Sequence, residues 1–378
     1  MSFVRTFRAP GRVNLIGEHT DYNLGYVLPI ALNLATYVEV HRRDDGRLHL
    51  LSEQKPEELS WAVEELAGAQ PRKHWSDYVI GVAQQLIRRG YSIAPCLLKI
   101  RSDVPEGSGL SSSAALEVAS ALALLGGRAI DKVELAKLCR AAENEFVGMP
   151  CGIMDQYVSV FGERGAAVQI DCRTLEHRVV QLPEGVSVVV VNSKVKHELG
   201  NSAYRDRVSE CAMAVAAVQH WHPEVQSLRD VTLQHLADIP MPELVMRRAR
   251  HIVTDTMRVE LFVNAAARGN LREMGMLFVD SHRSMQHDYE ITCAEVDFLA
   301  EAAMEIPGCI GARMTGGGFG GCTVNLVATE YVASFTREIV NRYSERWGIE
   351  ASVFVVEAGE GAGEVRSVEP EGAGSLAG

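Results

Sequence analysis

The 378-residue chain has no G-x-x-x-x-G-K-[ST] segment, no C-x-x-C pair and no apolar run long enough to span a bilayer. The first absence removes the ordinary Walker class of nucleotide binders. The second leaves eight dispersed cysteines (Cys96, Cys139, Cys151, Cys172, Cys211, Cys293, Cys309, Cys322) without zinc or redox spacing, and reduced cytosolic thiols are the simplest reading. The third argues against a membrane-spanning helix, and Met1 to Arg12 contains no apolar signal core, so a cytoplasmic protein is expected. Positive charge is short as well. A formal net charge of -12 gives nucleic acid or an anionic membrane nothing to be attracted by, so any anionic ligand must be held locally.

A hydrophobic content of 47% supports a sizeable core in each of two domains, and no internal repeat is visible. Residues 25–41 and 47–51 read as strands, with Asp44-Asp45-Gly46 as a hairpin turn. Helical spacing runs from Trp75 to Arg89, a strand from Ala94 to Ile100, and helices from Ser111 to Leu125 and from Val133 to Phe146. Val186 to Val191 reads as a buried strand, and a more helical half begins with Tyr204 to Trp221. Helices at 231–237, 243–268, 271–279 and 293–304 precede a glycine-rich turn, a helix at 330–346 and a strand at 351–357. This alternation predicts two α+β domains, 1–195 and 196–358, with ligands between them. The Gly- and Glu-rich tail 359–378 is expected to be disordered.

Four segments carry candidate chemistry. In Pro105-Glu106-Gly107-Ser108-Gly109-Leu110-Ser111-Ser112-Ser113-Ala114, two glycines let backbone N–H groups turn inward at a helix N-terminus. Backbone donors, hydroxyls and the helix dipole can hold a phosphate there without a lysine; a plain serine cap on a core helix is the other reading. In Ala9 to Asn23, hydrogen-bonding side chains crowd beside two glycines; Glu18, His19 and Asp21 suit vicinal sugar hydroxyls, and a solvated loop capped by Asp21 and Asn23 is the other reading. Asp155, in the first turn of an apolar helix ending at Phe161, either compensates the helix dipole or sits in an apolar wall and needs a cationic partner, for which Arg12 is the candidate. Thr315-Gly316-Gly317-Gly318-Phe319-Gly320-Gly321 matches G-x-G-x-x-G but leads into a strand late in the chain, so a dinucleotide site is rejected. A turn packed on phosphates or on the first loop, and a purely structural hairpin, both remain open. His220 and His222 read as an exposed helix end, and His282 and His287 as a structural or pocket-edge loop.

Taken together and in this order, these segments resemble the galactokinase, homoserine kinase, mevalonate kinase and phosphomevalonate kinase (GHMP) superfamily. The stretch Gly11-Arg-Val-Asn-Leu-Ile-Gly-Glu-His-Thr-Asp-Tyr-Asn23 narrows this to a resemblance to the galactokinase family, which extends from about Arg8 to about Glu357 and includes Asp171-Cys172-Arg173 and Arg313 to Thr323. The resemblance implies an N-terminal mixed-sheet domain with a left-handed βαβ-type nucleotide loop, a ferredoxin-like C-terminal domain, and an active site in the cleft between them. It implies ATP-dependent phosphorylation of the anomeric hydroxyl of α-D-galactose by a monomeric enzyme. By position, Glu18, His19, Thr20, Asp21, Asp155 and Tyr204 match residues that hold the sugar. Gly107, Ser108, Gly109, Leu110, Ser111, Ser112 and Ser113 match the loop around the nucleotide phosphates. Ser113 and Glu143 match the positions associated with Mg²⁺, hard oxygen ligands for a hard cation. Asp155 matches the catalytic aspartate and Arg12 its cationic neighbour, which would keep the carboxylate charged or stabilise the moving phosphoryl group.

One departure from the family pattern, Thr254-Asp255-Thr256 in place of Thr or Ser, Glu, Asn, is not expected to touch the chemistry. An N-acetylgalactosamine or other sugar 1-kinase is the alternative within enzymes. A non-catalytic galactose sensor is the alternative outside them, disfavoured because Ser111-Ser112-Ser113 is complete.

Overall fold

The computed structural model describes residues 4–196 and 200–365. The first half of the chain forms β1 (Arg5–Asn14), β2 (Tyr26–Val27), β3 (Pro29–Arg42), β4 (Arg47–Ser52), β5 (Glu58–Ala62), α1 (Ser76–Arg88) and β6 (Cys96–Ser102). It continues through α2 (Ser112–Leu125), α3 (Lys132–Ala141), α4 (Met154–Phe161), β7 (Ala166–Asp171) and β8 (His177–Gln181). The second half contains β9 (Val186–Lys196), α5 (Gly200–Gln219), α6 (Leu233–Asp238), α7 (Glu243–Ala267), α8 (Leu271–Ser284) and α9 (Ala294–Met304). It ends with β10 (Cys309–Thr315), β11 (Gly320–Ala328), α10 (Val332–Trp347), β12 (Ser352–Val356) and β13 (Gly363–Val365).

The first sheet has the order β13-β1-β3-β6-β4-β5, with β4 and β6 parallel and joined through α1. Alanines at 114, 115, 119 and 121 keep α2 slim and let it lie close to β1, β3 and α1 over a core that includes Val38, Leu98, Val118 and Leu138. The second sheet, β10-β11-β9-β12, is antiparallel throughout. With its helices it gives the β-α-β-β-α-β order of a ferredoxin-like unit. Its central strand β9 is valine on both faces. Val188 and Val190 face a core shared with Val13 and Ile30 of the first sheet, whereas Val189 and Val191 face α9 and α10. The two sheets are therefore joined by a continuous apolar core.

Four expectations differ from the structure. The boundary at 195/196 assigns β9 to the first domain, but β9 lies inside the second sheet, between β11 and β12. Asp44-Asp45-Gly46 does not close a hairpin, because β6 lies between β3 and β4. The tail is ordered as far as Val365: β13 pairs with β1, and Arg5 holds Glu364 through two 2.6 Å hydrogen bonds. Residues 366–378 of that expectation lie outside the described residues. His282 is no loop residue either. It is buried in α8 and its Nδ1 accepts the Met314 amide at 3.2 Å.

Candidate active site

The connection from β6 to α2 passes through left-handed Gly107 (φ 70°) and Gly109 (φ 77°). Ser111 is left-handed as well (φ 56°), and its side chain does not cap α2, which excludes the serine-cap reading. The Ser111 hydroxyl donates instead to Asp155 Oδ2. Arg12, projecting from β1, donates from Nε to Asp155 Oδ1 at 2.7 Å and from Nη2 to Oδ2 at 2.8 Å. Its Nη1 donates to the Gly109 carbonyl at 2.6 Å and its amide to the Leu110 carbonyl at 3.0 Å. One arginine thus fixes strand, loop and helix in a fork that lysine could not reproduce. Burial works against its charge, but Asp155 and Glu18 outweigh it and raise its pKa further. Within the loop, Ser108 donates to the Pro105 carbonyl at 2.7 Å, and Leu110 is buried in the core shared by the two sheets.

Asp155 opens onto a cavity of about 370 Å³ between the two sheets, lined by Arg12, Glu18, His19, Asp21, Glu143 and Tyr204 and walled by Met149, Pro150, Met154 and Phe319. Glu18 Oε1 accepts from Thr315 Oγ1 and from the Gly316 amide, both at 3.1 Å, and lies 3.3 Å from Arg313 Nη2. Burial raises the Glu18 pKa while Arg313 and Arg12 pull it back. The β10–β11 turn is therefore a structural hairpin and a wall of the cavity at once. His19 is held down to about 3 by burial and by His251 beside it, so its ring is neutral. A carbonyl can only accept; hence Nε2–H donates to Gly317 O at 3.2 Å, and Nδ1 accepts the Tyr22 hydroxyl at 2.8 Å. Asp21 packs its carboxylate against Gly152, where a β-carbon would sit 1.9 Å from Oδ2, and burial followed by Asp155 raises its pKa to about 6. Thr20 is a correction. It is fully buried outside the cavity lining, and its hydroxyl lies 3.0 Å from the Gly17 carbonyl and 2.7 Å from that of Tyr26, which makes it a staple of the loop.

Glu143 sits on a π-helical turn (Ala142–Val147) that continues α3 and swings its carboxylate toward Asp155. It accepts from Gln156 Nε2 at 2.6 Å, and Cys151 Sγ lies 3.6 Å away. Burial first and Asp155 second raise its pKa to about 7, while the Ser113 hydroxyl is among the groups pulling it down. No lysine or arginine pairs with Glu143 among the described residues. Ser112 and Ser113 line a second cavity of about 210 Å³ with Lys55, Trp75, Tyr78 and Leu116.

Family models match this geometry segment by segment. The galactokinase galactose-binding signature covers residues 3–42, the GHMP kinase N-terminal domain 77–163 and the GHMP kinase C-terminal domain 262–345. The chain is 42% identical over 362 residues to the galactokinase of Roseiflexus sp. (strain RS-1), covering 95% of this chain and 92% of that one. The chain belongs to the galactokinase family of GHMP kinases. The galactokinase of Chloroflexus aggregans is 43% identical over 371 residues, with 97% and 95% covered. The crystal structure of Lactococcus lactis galactokinase complexed with galactose superposes with a TM-score of 0.91 at 36% identity, covering 96% of this chain and 95% of that one. A mevalonate kinase from Methanococcus jannaschii shares the fold at a TM-score of 0.66 and 17% identity, with 95% and 99% covered. As a galactokinase-family kinase, the chain uses ATP.

Sequence reasoning missed the layer behind the cavity. Arg313 is fully buried and donates to the Leu15 carbonyl as well as facing Glu18; an arginine inside an apolar strand is itself a signal that a carboxylate must lie opposite. Gln156 bridges Glu143 to the buried Glu117, whose Oε2 it reaches at 2.9 Å. The expectation that Thr254-Asp255-Thr256 lies clear of the chemistry fails, because Asp255 Oδ2 accepts the Glu18 amide at 2.9 Å.

Proposed function

We propose that this chain transfers the γ-phosphoryl group of ATP to the anomeric hydroxyl of α-D-galactose, releasing galactose 1-phosphate and ADP. The observation that carries the reading is the bidentate Arg12–Asp155 pair, set between a lysine-free anion loop and a cavity edged by Glu18, His19, Asp21 and Tyr204. The cavity is of monosaccharide size, with polar groups converging on one side and apolar walls on the other. Asp21 and Glu18 are acceptors for sugar hydroxyls, and Tyr204, 4.8 Å from the His19 ring, closes the pocket from α5.

In the proposed step, the C1 hydroxyl oxygen forms a bond to the γ-phosphorus as the bond from that phosphorus to the β–γ bridging oxygen breaks. The bridging oxygen leaves with ADP, and the hydroxyl proton passes to Asp155. Asp155 orients the hydroxyl through its fixed carboxylate and takes the proton as bonding develops. Arg12 holds Asp155 in place and puts a permanent positive charge beside the transferring group. Backbone N–H groups of Gly107 to Ser113 receive the phosphates, and the cavity lined by Trp75, Tyr78 and Leu116 lies where the nucleotide's base end would extend.

The donor set at Ser113 and Glu143 fits Mg²⁺: a hydroxyl and a buried carboxylate raised to about 7, with no protein cation to pair with among the described residues. When bound there, Mg²⁺ supplies positive charge to the phosphate oxygens.

ADP release measured with Mg-ATP over galactose, N-acetylgalactosamine, glucose, arabinose and mevalonate tests the reading. Turnover selective for galactose is expected. Preference for N-acetylgalactosamine would reassign the substrate, and no sugar-dependent ADP release would remove the activity.

A further inference from the structure

The loop that carries Glu18, His19 and Asp21 is tied internally by Thr20 and by Asn23, whose Nδ2 donates to the His19 carbonyl at 2.9 Å, but the two backbone groups of Glu18 are held from outside it. Gly17, His19 and Leu24 all adopt left-handed backbone conformations (φ 96°, 60° and 60°), two of them without the freedom of glycine. Backbone in such regions persists only where the surroundings over-determine it. The β10–β11 hairpin holds the Glu18 and His19 side chains, and one helix of the second half meets the loop's backbone. Along α7, Arg248, His251, Asp255 and Val259 recur at helical spacing on one buried face. Asp255 Oδ2 accepts the Glu18 amide at 2.9 Å, and His251 Nε2 lies 3.1 Å from the Glu18 carbonyl. That oxygen can only accept, so His251 carries its proton on Nε2 and takes the Ser284 hydroxyl on Nδ1 at 3.0 Å. Val259 lies where a β-carbon on Gly17 would meet it at 2.8 Å, and Thr256 meets Gly25 in the same way at 2.6 Å. The His251 ring also packs 4.4 Å from Tyr289, whose hydroxyl pairs with Tyr22 at 2.7 Å, and Tyr22 in turn bonds His19. No residue of α7 lines the sugar cavity.

From this geometry we infer that Asp255 and His251 are positioning residues for the sugar: they grip both backbone groups of Glu18 and thereby set the affinity for the hydroxyl-bearing substrate without touching it. The inference rests on the galactose reading above. Asp255 also faces Arg258 at 3.2 Å, so its carboxylate is neutralised locally and free to serve the Glu18 amide as an acceptor.

Steady-state kinetics of the full chain, with galactose and ATP varied separately, test it. Asp255→Leu and His251→Phe keep bulk but remove the acceptor and the donor, and each is expected to raise the galactose KM about ten- to a hundredfold while the ATP KM stays near the wild-type value. Asp255→Asn, which keeps an acceptor oxygen, and His251→Gln, which keeps a donor at the Nε2 position, should recover most of that loss. A galactose KM unchanged in the Leu and Phe variants, or one that rises in parallel with the ATP KM, overturns the inference. If Asp255→Leu fails to fold, the His251→Phe and His251→Gln pair decides alone. A wild type without galactose-dependent turnover overturns the substrate reading and this inference with it, whereas a competent wild type with unaffected variants overturns this inference only.

Discussion

Glu143 illustrates how a side chain's surroundings become a pH dependence. Its carboxyl, ordinarily near 4.5, is raised to about 7 by burial and by Asp155, so the native state holds the proton more tightly than the unfolded chain. The stabilisation is complete below about pH 4.5 and is lost as pH rises through about 7. Glu143→Gln cannot ionise. Thermal unfolding of the ligand-free protein should therefore show the variant gaining on the wild type between about pH 5.5 and about pH 8; a difference that is the same at both values would contradict the burial argument. At this scale the sequence is most legible where a charge sits on an apolar element. Asp155 in an apolar first turn demanded a cation, and Arg12 meets it at 2.7 Å. Arg313 and Asp255 carry the same signal, but the sequence does not point to their partners, which lie on the Gly17–Gly25 loop more than two hundred residues away. Thr20 was over-read, since a hydroxyl in a polar cluster looks the same whether it faces a ligand or two backbone carbonyls.

Helix periodicity predicted α1, α2, α7 and α10 to within a residue or two at each end, because each buries apolar side chains that recur at helical spacing in a core. Strand adjacency was not legible in the same way. Asp44-Asp45-Gly46 has the composition of a hairpin turn, but composition reports a reversal of the chain and not what pairs beside it, and β6 takes the place between β3 and β4. Packing between elements also overrides propensity at Gly275 in α8, where a β-carbon would sit 1.9 Å from the Ile310 carbonyl oxygen of β10. Helix propensity alone would make Gly275→Ala stabilising by about 1 kcal/mol. The displaced neighbour is backbone and cannot yield as a flexible side chain would, so a net loss of about 1–3 kcal/mol is expected in denaturant unfolding. A variant as stable as the wild type would show that α8 and β10 can slide apart freely.

Across the whole molecule, the sequence order of motifs conveyed two domains with a site between them, but not how closely they are joined. The valines of β9 serve two cores at once, and β13, the last strand among the described residues, returns to pair with β1 of the first sheet. A weak, Gly- and Glu-rich sequence gives no periodic sign of such a strand, because its anchoring comes from β1 and from Arg5 rather than from its own apolar residues. This construction brings Arg12 of β1, the anion loop and Asp155 of α4 to a single point, through which phosphoryl transfer to galactose runs. Turnover and galactose binding of Asp155→Asn report on that point. A fall in kcat of about 10²–10⁴-fold is expected, with galactose binding, read by calorimetry, largely preserved. Near-normal turnover in that variant would contradict transfer through that point.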